Sequence, residues 1–280
     1  MKTDENFPVA SLLIRAELRA TVRDFYRFAR AADDVADAPD LSRDAKLARL
    51  DAFAAGLKGD SAGAEEARTL RARLSSEQRG ALVRHAELLL VAFRQDARGF
   101  HYRTWEDLLS YCAHSANPVG RFLLDLHVEG PATHGPSDAL CTALQVLNHL
   151  QDIRDDHDRI ARVYLPSEWL EAEGVPPAAL SGAALTPGLR RVIDRALDRC
   201  DALLVEARTL PAAIRAPRLA GEARTIVHLG HRLSARLRAG DPLAGRVKPS
   251  RLDFARAGAL GLARALRPVR GRTASVRERA

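Results

Sequence analysis

Residues 25–37 read FYRFARAADDVAD. Wound as a helix with 3.6 residues per turn, this stretch puts Tyr26, Arg30, Asp33 and Asp37 at i, i+4, i+7 and i+11, on one narrow face. Two carboxylates one turn apart on an Ala- and Phe-rich helix repel each other, at about a few tenths of a kcal/mol. Either they face water or something cationic holds them.

The same pattern recurs in LQVLNHLQDIRDDHDRIARVYLP, residues 144–166. Gln145, Asn148, Asp152 and Asp156 fall at i, i+3, i+7 and i+11, beside Leu144, Leu147 and Leu150. An acidic run alone more often marks a solvated face. Two runs of like spacing, each beside apolar or amide side chains, suggest instead two stripes facing each other as a carboxylate cage. Hard, small divalent cations such as Mg²⁺ suit oxygen ligands of this kind and are held by a few carboxylates together with substrate phosphates. The expectation is a metal–diphosphate site between two helices.

Composition agrees with helices. Of 280 residues, 46% are hydrophobic and only 5% aromatic, so Leu, Ala and Val must build the core. The net charge of +7 is carried almost wholly by Arg, since the lysines are Lys2, Lys46, Lys58 and Lys248. The guanidinium fork matches phosphate oxygens. Because the Arg residues are spread along the chain, an anionic small molecule fits better than nucleic acid. Cys112, Cys141 and Cys200 form no CxxC pair, which fits a reduced, cytoplasmic compartment. No leader-like apolar core opens the chain, and no run approaches membrane-spanning length.

Punctuation by Gly, Pro and capping residues predicts helices over 9–36, from Asp40 or Ser42 to 56, over 64–73, 76–96, 104–126 with a kink at Asn117-Pro118, 138–160, 189–208, 217–239 and 250–266. Connectors are expected at 59–63, 98–101, 130–137 and 174–188, an extended segment at 162–166, and a short helix near Ser167. No strand alternation or repeat is present. The reading is all-α: one helical domain over 1–266 and a loose Arg-rich tail over 267–280. The tail reads equally as a solubilising end or as a peripheral contact with anionic lipid at the inner face of the cell membrane. His228 and His231 are three apart, but Glu-x-x-His is absent and with it the di-iron pattern. His149 and His157 border the second stripe and point off its axis. GxGxxG, Walker and GxSxG motifs are also absent.

AlaAspAspValAlaAsp with its upstream Tyr-x-x-x-Arg, and AsnHisLeuGlnAspIleArgAspAsp followed by ArgValTyrLeuPro, resemble the squalene and phytoene synthases. The resemblance covers the chain to about residue 265, with matching motif order. It implies an isoprenoid-synthase helical bundle around a deep central cavity, binding Mg²⁺ and a prenyl diphosphate. AsnPheProValAlaSer at 6–11, SerAlaAsnProValGlyArg at 115–121 and AsnHisLeuGlnAsp at 148–152 are closest to the hydroxysqualene synthase branch of the squalene and hopanoid route. That branch ionises presqualene diphosphate and lets water capture the rearranged cation. The implied partners are that substrate, a presqualene diphosphate synthase upstream and a squalene-forming reductase downstream. Other branches condense two prenyl diphosphates, which remains the alternative; a non-catalytic basic helical binding protein is the second.

On this reading Asp33, Asp37, Asn148, Asp152 and Asp156 hold metal. Tyr26, Arg30, Tyr111, Arg162 and Tyr164 are the catalytic candidates, with Arg30, Arg162 and Tyr164 gripping phosphate. Asn6, Phe7, Phe28, Gln145 and Asn148 bind substrate, and Phe25, Phe28, Tyr111, Phe122, Leu123 and Leu147 are expected to wall the apolar pocket. Asp34 is expected to act from behind the metal face. Gln151 stands where many members carry Arg, Ala161 stands where the usual residue is Gly, and the gap from Asp156 to Arg162 is one residue longer than in phytoene synthases. These departures speak against a phytoene-type condensation.

Overall fold

The computed structural model describes residues 14–267. Asn6 and Phe7, expected to bind substrate, and the Arg-rich tail from residue 268 lie outside the described residues.

The chain is an all-α single domain of thirteen helices among the described residues, joined by short 3₁₀ turns. In order they are α1 (Arg19–Asp37), α2 (Arg43–Lys58), α3 (Glu65–Ser76), α4 (Val83–Arg98), α5 (Trp105–Ser115), α6 (Asn117–Leu126), α7 (His134–Gln151), α8 (Ile153–Ile160), α9 (Ser167–Ala172), α10 (Pro187–Ala207), α11 (Leu210–Ala213), α12 (Pro217–Ala239) and α13 (Arg251–Ala265). Side chains fix several starts. Ser42 accepts from the Ala45 amide at 3.2 Å and Thr186 from Leu189 at 3.2 Å. Thr104 with Asp107, and Ser250 with Asp253, form reciprocal capping boxes. Each such cap is worth about 1 kcal/mol.

Four expectations are corrected. The helix expected from residue 76 starts at Val83, because Gln78 takes a left-handed φ of 57° and the chain turns before a new 3₁₀ start at Gly80–Leu82. The connector expected over 130–137 is already α7 from His134. Pro136 falls in the first turn, where its missing N–H leaves no helical bond unmade. The single helix expected over 138–160 is two, broken at Asp152 (φ −103°, ψ 14°). The kink at Asn117 is likewise a junction between α5 and α6.

Two apolar clusters make the core. One joins α1–α4 with Phe122 and Leu126 of α6. The other gathers α5, α7, α10 and α12. α1 and α4 thus stand on one side of a gap and α5, α7 and α8 on the other, while α6 bridges them, with Phe122 and Leu126 in the first cluster and Leu124 in the second. α13 packs mainly on α12, while Arg264 donates to the Pro211 carbonyl of α11 at 2.7 Å, and the α12 contact is unusually close: a Cβ on Gly221 would sit 2.6 Å from the Gly261 carbonyl oxygen. Only glycine allows two helix backbones so near.

Candidate active site

The gap between the two clusters holds a cavity of about 550 Å³. α1 lines it with Phe25, Tyr26, Ala29, Arg30, Asp33 and Asp37, the face that the helical wheel picks out. α7 and α8 line the opposite wall with Leu144, Gln145, Asn148, Asp152 and Asp156. Arg162, Tyr164, Tyr111 and Arg246 also reach it, and Leu89, Phe93, Val119 and Leu123 make its apolar part. Both polar stripes therefore open onto one space, with an apolar floor beside them.

Phe28, expected to touch substrate, does not line this space. It is fully buried and meets Phe53 of α2 edge-on at 5.7 Å. It lies about 140° round the wheel from Asp33, so it must face the other way. Phe122 is also displaced from the wall: it stacks behind Phe25 at 3.8 Å. Leu147 packs into the second core cluster. Asp34 turns outward and pairs with Arg30 at 2.9 Å.

The first acidic pair is held by two arginines. Arg30 reaches Asp33 at 3.5 Å. Arg162, almost enclosed, places Nη1 2.6 Å from Asp37 Oδ1 and 3.8 Å from Asp96, and donates to the Tyr164 hydroxyl at 3.2 Å and to the Ala36 carbonyl at 3.2 Å. Burial alone would weaken its charge, but Asp96, Tyr164 and Asp37 outweigh that and hold the guanidinium protonated. Loss of solvent, and then the neighbouring Asp37, push the Asp33 carboxyl up to about 7.

The second pair is held differently. Asp156 lies 3.5 Å from His149 Nδ1, whose other ring nitrogen meets Gln145 Nε2 at 3.0 Å. The His149 ring stacks on Tyr164 at 3.4 Å. His149 is thus part of the cavity wall, contrary to the off-axis expectation, whereas His157 turns to Ser181 and Asp158. Asp152 is 3.5 Å from Arg246. Burial raises the Asp152 carboxyl against the pull of that arginine.

Sequence reasoning missed Asp96 and Arg246. Asp96 is nearly inaccessible, accepts from the Tyr111 hydroxyl at 2.9 Å, and is pushed up to about 6 by burial against the opposing pull of Arg162 and that hydrogen bond. A signal was present: Leu89, Phe93 and Asp96 share one helix face, so a carboxylate sits on an apolar stripe. Arg246 had no local signal. It is placed by Gln151, which donates to the Val247 carbonyl from the end of α7.

The donor set fits a cation in part. Asp37 Oδ1 is buried and accepts no hydrogen bond, despite the arginine beside it. Among the described residues, however, no three His, Cys, Asp or Glu converge closely enough to hold one ion. The closed carboxylate cage is therefore not formed by protein groups alone. An ion here would need oxygens from a ligand as well, the way Mg²⁺ is bound beside phosphates.

Comparison with known proteins agrees with this geometry. The family model for squalene/phytoene synthase matches residues 1–253. The chain is 41% identical to a hydroxysqualene synthase of Zymomonas mobilis over 250 residues, covering 89% of this chain and 84% of that one. It is 41% identical to a hydroxysqualene synthase of Rhodopseudomonas palustris, covering 90% and 85%. Among solved structures it is similar to a squalene synthase from Alicyclobacillus acidocaldarius, with a TM-score of 0.71 and 33% identity over 82% of this chain and 87% of the other. A dehydrosqualene synthase at 21% identity shares the fold, with a TM-score of 0.73. Two facing polar stripes over an apolar cavity, in a chain matched nearly end to end, place this protein in the squalene/phytoene synthase family.

Proposed function

We propose that this enzyme ionises presqualene diphosphate in a Mg²⁺-dependent reaction and lets water capture the rearranged cation, giving hydroxysqualene and diphosphate for squalene and hopanoid synthesis. The observation that carries the reading is the single cavity joining a polar end to an apolar floor. The names of the relatives at 41% identity favour the water-capture branch over condensation.

Asp33 and Asp37 on one wall, and Asn148, Asp152 and Asp156 on the other, would hold Mg²⁺ together with the diphosphate. The metal, when bound, neutralises the leaving diphosphate as a Lewis acid. Arg30, Arg162 and Arg246 bind its oxygens as charged donors, and the Tyr164 hydroxyl adds a neutral one. Tyr26 lines the same end. Tyr111 anchors Asp96, which keeps Arg162 aimed. Phe25, Phe93, Leu123 and Leu144 give the cation a dry wall that offers no competing nucleophile.

The test is a product assay. Purified protein with Mg²⁺ and presqualene diphosphate releases pyrophosphate and forms a C30 alcohol without NADPH, and farnesyl diphosphate alone gives no product. Squalene formed only with NADPH, or no consumption of presqualene diphosphate, rejects the reading. Product from farnesyl diphosphate alone assigns condensation instead.

A further inference from the structure

The last helix is fixed in one rotation. Asp253, Ala257 and Gly261, four residues apart, are buried against α12. Asp253 is gripped by Arg232 at 2.8 Å and Arg236 at 2.7 Å, and Thr225 donates to the Ala257 carbonyl at 3.2 Å. The opposite side of α13 is then Leu252, Ala255, Ala259, Leu262, Ala263 and Leu266. All six are exposed and none is polar. Leu252, Phe254, Leu260, Leu262 and Leu266 account for five of the nine large apolar side chains left exposed among the described residues. An apolar stripe at helical spacing normally faces a core; this one faces outward.

Charge says what covers it. Arg251, Arg256 and Arg267 rim the stripe, and 254–267 contains no Asp or Glu. The sequence beyond adds Arg270, Arg272, Arg277 and Arg279 against Glu278 alone. A second copy of the chain would set these cationic rims against each other with no acid between them. A nucleic acid would satisfy the arginines and leave the leucines in water. An anionic lipid surface satisfies both: leucines enter the acyl boundary while guanidinium groups meet headgroup phosphates.

We propose that the outer face of α13 docks this protein on an anionic bilayer surface. The helix lies on the membrane rather than through it. Its 15 residues span only about 22 Å at ~1.5 Å per residue, and no described helix is long and apolar enough to cross. The family match ends at 253, so most of α13 lies beyond it. The inference does not depend on the substrate reading.

Vesicle flotation of the full chain tests it, using phosphatidylcholine vesicles with and without one-third phosphatidylglycerol. The protein should float with the anionic vesicles and at least about tenfold less with the neutral ones, and salt should weaken the binding. Leu262→Ser/Leu266→Ser, and separately Leu252→Ser/Leu266→Ser, should each cut flotation about tenfold or more. Both double variants should keep the wild-type unfolding midpoint, because the altered side chains are exposed. Absence of flotation by the wild type overturns the proposal. So does unchanged flotation of both variants, which would assign binding to charge alone. A solution dimer that the same substitutions dissociate would overturn it in favour of a second copy. Because the readout is binding, it is decided separately from the product assay.

Discussion

The two acidic pairs of the cavity are built by opposite means. Asp33 and Asp37 sit on successive turns of one unbroken helix, so α1 itself sets their spacing. Asp152 stands at the break between α7 and α8, and Asp156 lies one turn into α8. Their places depend on what they touch: Arg246 from the segment before α13, and His149 held between Gln145 and Tyr164. The first pair, in turn, depends on the second half through Arg162, which follows α8 and grips Asp37. Each wall of the cavity is therefore held in register by a cation from outside its own helix. A rigid stripe faces an adjustable one.

If both pairs bind metal in the transition state, breaking either should abolish turnover equally despite that difference. Asp37→Asn and Asp156→Asn are each expected to lower kcat by about three orders of magnitude or more with the fold retained, because interactions made in the transition state are not recovered by tighter ground-state binding. Steady-state kinetics beside thermal unfolding checks this. A large loss at Asp37 with a small one at Asp156 would mean that the adjustable wall only binds.

Asp96→Asn should come next, at about a ten- to hundredfold loss in kcat, since Arg162 loses a buried counter-charge while Tyr111 keeps an acceptor. Stability against pH separates the positioning role from a packing role. The folded Asp96 carboxyl, held up at about 6, keeps a proton that an unfolded Asp has released by about pH 4. Between those values the folded state binds more protons, so stability falls as pH rises, by at most about 3 kcal/mol. Asp33, pushed up to about 7, adds a slope of the same sign. The difference between wild type and Asp96→Asn in urea unfolding from pH 4 to 7 isolates the Asp96 share. No difference would show that the Asp96 carboxyl is not held above its unfolded value.

The rigid wall was the legible one. Wheel arithmetic alone placed Tyr26, Arg30, Asp33 and Asp37 on one face, and the same arithmetic would have removed Phe28. The break at Asp152 was not legible, because helical propensity runs through LQDIRDD without a Gly or Pro to interrupt it. The fold could be read from capping residues such as Ser42, Thr104, Thr186 and Ser250. Asp96 could have been found as a carboxylate on an apolar face. Arg246 could not, since its partner is distant in the chain and its position is set by a buried hydrogen bond from Gln151.

The adjustable wall gives the next test. Arg246→Ala removes the charge beside Asp152 and, on the proposed reading, one donor for the diphosphate. KM is expected to rise about tenfold with kcat within about twofold, the sign of binding lost equally from ground and transition states. A fall in kcat at constant KM would instead place Arg246 among the groups that act as the diphosphate leaves. The wall would then be fixed once substrate is bound.

The smallest effect concerns the turn that joins the walls. Ala161 ends α8 with φ 52° and ψ 39°, a left-handed conformation that costs an L-residue about 1 kcal/mol or more. This turn returns the Arg162 amide to the Asp156 carbonyl at 3.0 Å and aims the Arg162 side chain at α1. Ala161 is exposed, so its methyl group packs nothing in compensation. Ala161→Gly relieves the strain while adding some entropy to the unfolded chain, and the net gain should be about 0.5–1 kcal/mol, or roughly 2 °C in Tm. With the turn kept and Arg162 still on Asp37, kcat should stay within about twofold. A stabilised enzyme whose kcat fell well below that would mean the strained turn itself holds Arg162 in place, and the link between the two walls would be the stiffest part of the site.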